Sequence, residues 1–410
     1  MIILKNQGSK NSSLPLITSC LLSKNIFKIY NVPNLLDILS LIELLLQFNV
    51  VCKFDNNVLE INTLNLKIPN KIIYNRNFRA AYYLPCALYY LIKNDEVVKF
   101  RIFSGCRLGS RNIDYHLQLF RKMNILEKFE NDNIYIKNNK NLTNFSFCLP
   151  KPSVGCTINF ILLNVISRIT CILYNYAKDP YIDDLIEFLI LRGAKIEKDD
   201  QKIKIIGSEF LKAQNFKVMD DPIVFGTNII ISSIFNSNNL EVLIEKSNLK
   251  NLGNFKDLLT DIGIVLNLKD NFYCVSRKKI KFVKKIQSGY FPEIYTDLIP
   301  IILLFLIHNN IKTILVDNIF ENRFNFLEQL SSLGYKFNKI SNNIIETSTS
   351  TKTQIVNDIN FKNYDIRGDS CILLAYVINN IEICNFDKIY LNRGFENLYK
   401  NMCLIQKCLC

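Results

Sequence analysis

Apolar positions along this chain follow one pattern that returns about every 70 residues. From Asp37 to Leu46 hydrophobic residues recur at three- and four-residue spacing, which predicts a helix with one buried face. Val50–Phe54 and Val58–Ile61 then alternate around Asp55-Asn56-Asn57, which predicts a hairpin whose turn residues tolerate positive φ. The same order begins again at Asp114, with a turn at Asn131-Asp132-Asn133. It begins a third time near Asp184, where Gly193-Ala194-Lys195-Ile196 leads to a turn at Asp199-Asp200. Further copies start near Asp257 and Phe326, turning at Asp270-Asn271 and Asn342-Asn343, and a sixth helix starts near Glu396. One such unit cannot cover both faces of its own sheet, so six units predict an α/β protein of two lobes, three units in each.

A chain of 410 residues, 49% hydrophobic and 21% charged, has material for a large core and more than one domain. Unbroken apolar runs such as Ile301–Ile307 fall far short of the roughly 20 residues a membrane helix needs, so no transmembrane span is predicted. Met1-Ile2-Ile3-Leu4-Lys5 lacks the basic flank and cleavage site of a secretory signal, which predicts a cytoplasmic protein. The 13 cysteines are scattered, and Cys86, Cys171 and Cys371 sit within apolar runs, so most read as buried, reduced packing residues. With His116 and His308 as the only histidines and no Cys-x-x-Cys pair, no metal site is predicted, the cluster Cys403, Cys408 and Cys410 included. The formal charge of +13 is compatible with nucleic acid, an acidic membrane surface or anionic small substrates. Because lysines are spread along the whole chain, compositional bias accounts for the excess equally well.

Glycine is scarce, 13 in all, so a glycine marks a place where the backbone demands one. Gly105 and Gly109 bracket Cys106 and single out that thiol. Four widely separated stretches combine charge with turn chemistry: Gly8-Ser9-Lys10-Asn11; Arg76–Arg79 with Cys106–Arg111; Tyr295-Thr296-Asp297; and the arginines Arg323, Arg367 and Arg393 beside acids or glycine. Arginine forms only about a quarter of the 50 basic residues, so its placement there suggests forked recognition of phosphate or carboxylate. Taken singly, each such arginine reads equally as a surface ion pair.

Taken in order, the stretches resemble the UDP-N-acetylglucosamine 1-carboxyvinyltransferase family of enolpyruvyl transferases over nearly the whole chain. The resemblance rests on Gly8-Ser9-Lys10-Asn11-Ser12-Ser13-Leu14-Pro15, Asn31-Val32-Pro33 with Asp37, Phe78-Arg79-Ala80 and Ser104-Gly105-Cys106-Arg107-Leu108-Gly109-Ser110-Arg111. It continues through Asp114, His116, Lys151-Pro152-Ser153-Val154-Gly155, Thr296-Asp297, Phe320-Glu321-Asn322-Arg323-Phe324, Asp365-Ile366-Arg367 and Arg393-Gly394-Phe395-Glu396. It implies a two-lobed inside-out α/β barrel, with a catalytic lobe over 10–217 that carries the cysteine loop and a second lobe of 1–9 and 218–410. Substrates would lie in the cleft between the lobes, and the second lobe would be one strand short. Departures fall at Asp221–Gly226, where the family's hinge ion pair is missing, at Tyr181 and at Asn392.

The resemblance implies transfer of the enolpyruvyl group of phosphoenolpyruvate to UDP-N-acetylglucosamine, the first committed step of peptidoglycan precursor synthesis, without metal or other cofactor. Cys106, Asp297, Lys10 and Arg367 would be catalytic, with Asp297 as base and Cys106 as proton donor or covalent partner. Lys10, Arg79, Arg111, Arg367 and Arg393 would hold phosphoenolpyruvate. The sugar nucleotide would be held by Asn11, Arg79, Arg111, Asn112, Ile113, Asp114, Tyr115, His116, Lys151, Ser153, Val154, Gly155, Asp297 and Ile319. Thr296 is expected to cap the helix that follows it, with Pro300 in that helix's first turn. Partners would be the two small substrates, with no nucleic acid and no membrane, on a monomer. The alternatives are the sibling enzyme acting on shikimate 3-phosphate and a basic binding scaffold that has lost catalysis.

Overall fold

A computed structural model of the chain describes residues 1–74, 79–94, 96–101, 105–106, 109–110, 113–139, 141–236, 240–348, 364–384 and 386–409, with the backbone alone at 105–106 and 109–110. The chain divides into two compact units: Met1–Gln7, Cys106–Gly109 and Asp220–Cys410 form one, and Gly8–Gly105 with Ser110–Met219 the other. Both mix helix and sheet.

The sheets share one strand order. In the second unit Ile26–Tyr30 pairs antiparallel with Val58–Asn62, which turns back into Val51–Asp55, while Phe216–Lys217 adds in parallel on the far edge. Thr170–Tyr174 repeats this with Lys202–Ile206, Lys195–Lys198 and, in parallel, Phe145–Cys148. A three-stranded sheet of Val97–Arg101, Asn133–Lys137 and Leu126–Glu130 has the same order, with no parallel edge strand among the described residues. In the first unit Val242–Glu245 and Ile314–Val316 are the equivalent inner strands, with Ile2–Leu4 and Lys285–Gln287 as their parallel neighbours.

The hairpins close where Asn and Asp predicted them. Asn56 and Asn57 (φ 48 and 59°), Asn131 and Asp132 (49 and 59°) and Asp270 (54°) all take the left-handed conformation. Asp199 uses another device, its carboxylate accepting from the N–H groups of Gln201 and Lys202 at 2.8 and 2.9 Å. The amphipathic helices before the hairpins include Leu36–Leu46, Asp114–Lys122, Pro180–Leu191, Phe255–Asp261 and Leu327–Ser332. The third, fourth and fifth of these end at Gly193, Gly263 and Gly334, with φ of 100, 78 and 82°.

A second kind of helix escapes the repeat pattern because it is buried on nearly every side. All of Pro222–Phe235 is buried, as are Ile299–Ile307 of the helix Ile299–His308 and Arg367–Val377 of the helix Ile366–Ile378. In the other unit Lys10–Ser19 and Val154–Asn164 are buried nearly throughout. Hydroxyls inside them donate back to their own backbone, Thr18 to Leu14 O at 2.8 Å and Thr227 to Ile223 O at 2.7 Å, so they enter the core satisfied. Four of these helices begin with side-chain caps, Ser9, Ser153, Asp221 and Asp365, and Pro222 occupies the first turn where its missing N–H costs nothing. The altered segment at Asp221–Gly226 is thus a well-formed helix start. Among the described residues no helix is long and apolar enough to cross a membrane.

Candidate active site

In the first unit the polar centre is built around Arg323, which has no exposed side-chain surface. Its Nη2 donates to Asp297 Oδ1 at 3.0 Å and its Nε to Thr296 Oγ1 at 3.1 Å. The same guanidinium lies 3.5 Å from both Asp317 Oδ2 and Asp365 Oδ1, and stacks 4.7 Å from the centre of the Phe320 ring. A buried cation with acids on three sides is a structural hub. The surface ion pair that an isolated arginine suggests does not describe Arg323.

Asp317 ends the strand Ile314–Val316 and orders the turn that follows, because its Oδ1 accepts from Ile319 N and Phe320 N at 2.8 and 2.7 Å. Its other oxygen takes the Thr296 hydroxyl. Thr296 therefore does not cap the following helix. A 3-10 turn, Thr296–Leu298, intervenes, the cap position falls on Leu298 without a side-chain bond, and Pro300 lies in the first turn as expected.

Asp297 keeps 28% of its side chain exposed and is held from two directions, Arg323 on one oxygen and Arg367 Nη2 on the other at 3.2 Å. Arg367 opens the helix Ile366–Ile378, whose cap Asp365 accepts from Arg367 N at 2.9 Å and Gly368 N at 3.4 Å. The Arg367 guanidinium lies 4.8 Å from the Phe395 ring centre. A Cβ on Gly394 would stand 2.4 Å from Ile366 Cγ2 and 3.3 Å from Arg367 Nη1, so this glycine is required by close approach. Gln7 fixes the same backbone, donating to Gly394 O at 3.2 Å and accepting from Glu396 N at 2.8 Å. Arg367 Nη1 is buried and has no hydrogen-bond partner among the described residues. An unmet guanidinium donor beside a partly exposed carboxylate suits an anionic ligand. Arg393, on the 3-10 turn Leu391–Arg393, and Ile319 are half-buried.

In the second unit Ser9 caps Lys10–Ser19, accepting from Ser12 N at 3.3 Å. Lys10 is the first helical residue, its Nζ 3.4 Å from Asp37 Oδ2, and half-buried Asn11 follows it. A Cβ on Gly8 would overlap Asn31 O at 1.6 Å, so the Gly8–Asn11 stretch needs its glycine. Ser12 donates its hydroxyl to Asp184, whose same oxygen accepts from Met219 N at 3.3 Å. Burial pushes Asp184 up to about 6.

Tyr82, which the sequence did not single out, joins several expected residues. Its ring centre is 5.6 Å from the Arg79 guanidinium and 4.8 Å from the His116 ring, edge-on. A Cβ on Gly155 would meet its hydroxyl at 2.3 Å, the only sequence trace of this packing being that missing side chain. His116 is buried, and Asn159 Nδ2 sits 2.9 Å from its Nδ1. With the amide as donor, the ring proton lies on Nε2. Burial, helped by Arg79, lowers His116 to about 3, so it is neutral at physiological pH. Ile113 is buried, Tyr115 half-buried and Asp114 exposed at the start of Asp114–Lys122. Ser153 caps Val154–Asn164 through Cys156 N at 3.4 Å, with Val154 and Gly155 half-buried and Lys151 exposed.

Gly105–Cys106 and Gly109–Ser110 form a two-stranded sheet. The Cys106 side chain, and Arg76, Phe78, Ser104, Arg107, Leu108, Arg111 and Asn112, lie outside the described residues. The other thiols divide by burial. Cys20, Cys156 and Cys171 are pushed up to about 12, and Cys86 and Cys371 well above the usual thiol range, all by loss of water. These are packing residues rather than nucleophiles.

A family model described as EPSP synthase (3-phosphoshikimate 1-carboxyvinyltransferase) matches residues 3–402. The chain belongs to the enolpyruvyl transferase family. A protein named UDP-N-acetylglucosamine 1-carboxyvinyltransferase from Campylobacter lari is 30% identical over 96% of this chain and 93% of its own. Its namesake from Halothermothrix orenii is 27% identical over 97% and 94%. Among solved structures, the enolpyruvyl transferase NikO from Streptomyces tendae has a TM-score of 0.80 at 15% identity, covering 99% of this chain and 94% of that one. EPSP synthase from Acinetobacter baumannii has a TM-score of 0.60 at 13% identity, over 92% and 88%. These two likenesses concern the fold of the family.

Proposed function

We propose that the protein transfers the enolpyruvyl group of phosphoenolpyruvate to the 3-hydroxyl of UDP-N-acetylglucosamine and releases phosphate. The observation that carries this reading is Asp297, fixed between Arg323 and Arg367 beside an unmet Arg367 donor. A carboxylate held by two cations is positioned to take a proton while remaining oriented. The free guanidinium donor then meets the phosphate or carboxylate of phosphoenolpyruvate.

In this reading the sugar 3-oxygen attacks C2 of phosphoenolpyruvate as its proton passes to Asp297, and C3 receives a proton from Cys106. The tetrahedral adduct loses a proton from C3 and expels phosphate, leaving the enol ether on the sugar. Lys10, Arg79, Arg111, Arg367 and Arg393 neutralise the phosphoenolpyruvate charges. Asn11, Asn112, Ile113, Asp114, Tyr115, Lys151, Ser153, Val154, Gly155 and Ile319 hold the sugar nucleotide. His116, being neutral and buried, contributes by fixing Tyr82 and the start of its own helix. The finer fold reading belongs with this proposal: six helix-plus-hairpin units in an inside-out barrel, three in 10–217 and three in 1–9 with 218–410. So do a monomeric state, a cytoplasmic location and a place at the first committed step of peptidoglycan precursor synthesis.

Phosphate release from phosphoenolpyruvate, measured with each acceptor in turn, tests the reading. Release is expected with UDP-N-acetylglucosamine and is expected to be lost in Asp297→Asn. Release with shikimate 3-phosphate instead would move the protein to the sibling reaction, and release with neither would sink the assignment.

A further inference from the structure

The first unit carries one dense block of positive charge. Nine residues, Arg277-Lys278-Lys279-Ile280-Lys281-Phe282-Val283-Lys284-Lys285, contain six cations and three apolar side chains and nothing else. The chain as a whole has 50 basic residues in 410, about one in eight, so this is a local departure from otherwise dispersed charge. The block joins the strands Phe272–Arg277 and Lys285–Gln287. All of its residues are exposed except half-buried Val283, and Phe282 is 84% and Ile280 39% exposed.

A large aromatic ring left in water on a well-anchored segment calls for an explanation. The segment is anchored at three points: Lys278 N donates to Gly263 O at 2.8 Å, Lys281 N to Asp261 O at 2.9 Å, and Ile314 N to Lys284 O at 3.3 Å. Gly263 makes the first anchor possible, since a Cβ there would lie 2.4 Å from Lys278 O. Asp261 also pairs with the Lys281 ammonium at 3.0 Å on the surface, which leaves the block strongly positive. The backbone therefore presents Phe282 outward between two fixed points.

We propose that Arg277–Lys285 is a docking loop for anionic lipid membranes, with its cations on headgroup phosphates and Phe282 and Ile280 seated at the headgroup–acyl boundary. A polybasic patch alone gives weak, salt-sensitive attraction, and an apolar wedge alone gives little, but together they make a two-signal peripheral anchor. The composition favours lipid over nucleic acid. Five of the six cations are lysines, point charges without arginine's fork, and the apolar residues are two aliphatic side chains and one ring rather than a row of stacking platforms. This departs from the expectation of no membrane partner.

The test is co-sedimentation of the full chain with vesicles of phosphatidylcholine alone or mixed with phosphatidylglycerol, at low and at elevated salt. Binding to the anionic vesicles is expected, weakening as salt rises through the screening range. Phe282→Ser should weaken it about tenfold, and each cation neutralised by about fivefold, so that Lys279→Gln with Lys284→Gln loses roughly 25-fold. Thermal melts of the variants should match the parent because these side chains are exposed, and phosphate release with soluble substrates should not change. Equal sedimentation with both vesicle types, unaltered binding by Phe282→Ser, or tighter binding to a single-stranded oligonucleotide that the same substitutions abolish would each overturn the proposal.

Discussion

Two polar centres, one around Arg323 in the first unit and one around Asp184 and His116 in the second, bury their groups in opposite ways. In the first, Arg323 and Arg367 stay beside Asp297, Asp317 and Asp365, so charge is balanced by opposite charge within hydrogen-bonding or ion-pair reach. In the second, Asp184 and His116 are driven toward their neutral forms by burial, Asp184 up to about 6 and His116 down to about 3. The first arrangement keeps a strong field ready for an anionic substrate, while in the second burial works against the charged forms. Substrate charge is best met where oppositely charged groups are already held together.

The largest effect expected from breaking this contrast is on turnover. Asp297→Asn should lower kcat by about 100- to 10,000-fold while the protein still folds, because the amide accepts the arginine donors on one side only and takes no proton. Steady-state phosphate release checks this, and near-parent activity would remove Asp297 as base. Next comes the hub. Arg323→Met removes the ion-pair partner of buried Asp317 and Asp365 and should cost about 3–5 kcal/mol in urea unfolding. A cost under about 1 kcal/mol, the value of a surface pair, would make the first unit's balance unimportant.

The neutralising device of the second unit has a pH signature. Asp184 is raised from 3.8 to about 6, so the folded state binds its proton more tightly than the unfolded state does. The contribution is full below pH 3.8 and is lost as pH rises through 6, about 3 kcal/mol in total. Asp184→Asn keeps an acceptor for Ser12 and Met219 and should be the more stable protein at pH 7, the difference closing by pH 4. Parallel melting curves for parent and variant across that range would refute it. His116 acts with the opposite sign, its folded value lying below 6.5, so its stabilising contribution fades as pH falls from there toward 3. The smallest expected effect is steric: Gly155→Ala, placing a methyl against the Tyr82 hydroxyl, should destabilise by about 1–3 kcal/mol in thermal melts. An unchanged melting temperature would show that Tyr82 moves aside freely.

Local rules were enough for the hairpins and their amphipathic helices, because period and turn chemistry are written in adjacent residues: Asn56-Asn57 and Asn131-Asp132 form the turns that their positive-φ tolerance predicts. They were also enough to pick Asp297, Arg367 and Arg323 as unusual, and the order of motifs along the chain pointed to the family. The helices Pro222–Phe235, Ile299–His308 and Ile366–Ile378 left no such trace, since a helix buried on nearly every side has no face for periodicity to reveal. What each polar residue touches was a tertiary matter. Thr296 turned from cap to donor on Asp317, Gln7 and Gly394 came together across 387 residues to place Arg367, and Tyr82 became the neighbour of Arg79, His116 and Gly155. Sequence alone therefore determined which residues carry charge, turn and helix. Only packing decided which of those charges face each other out of water and which must give up their charge, because that depends on partners far away in the chain.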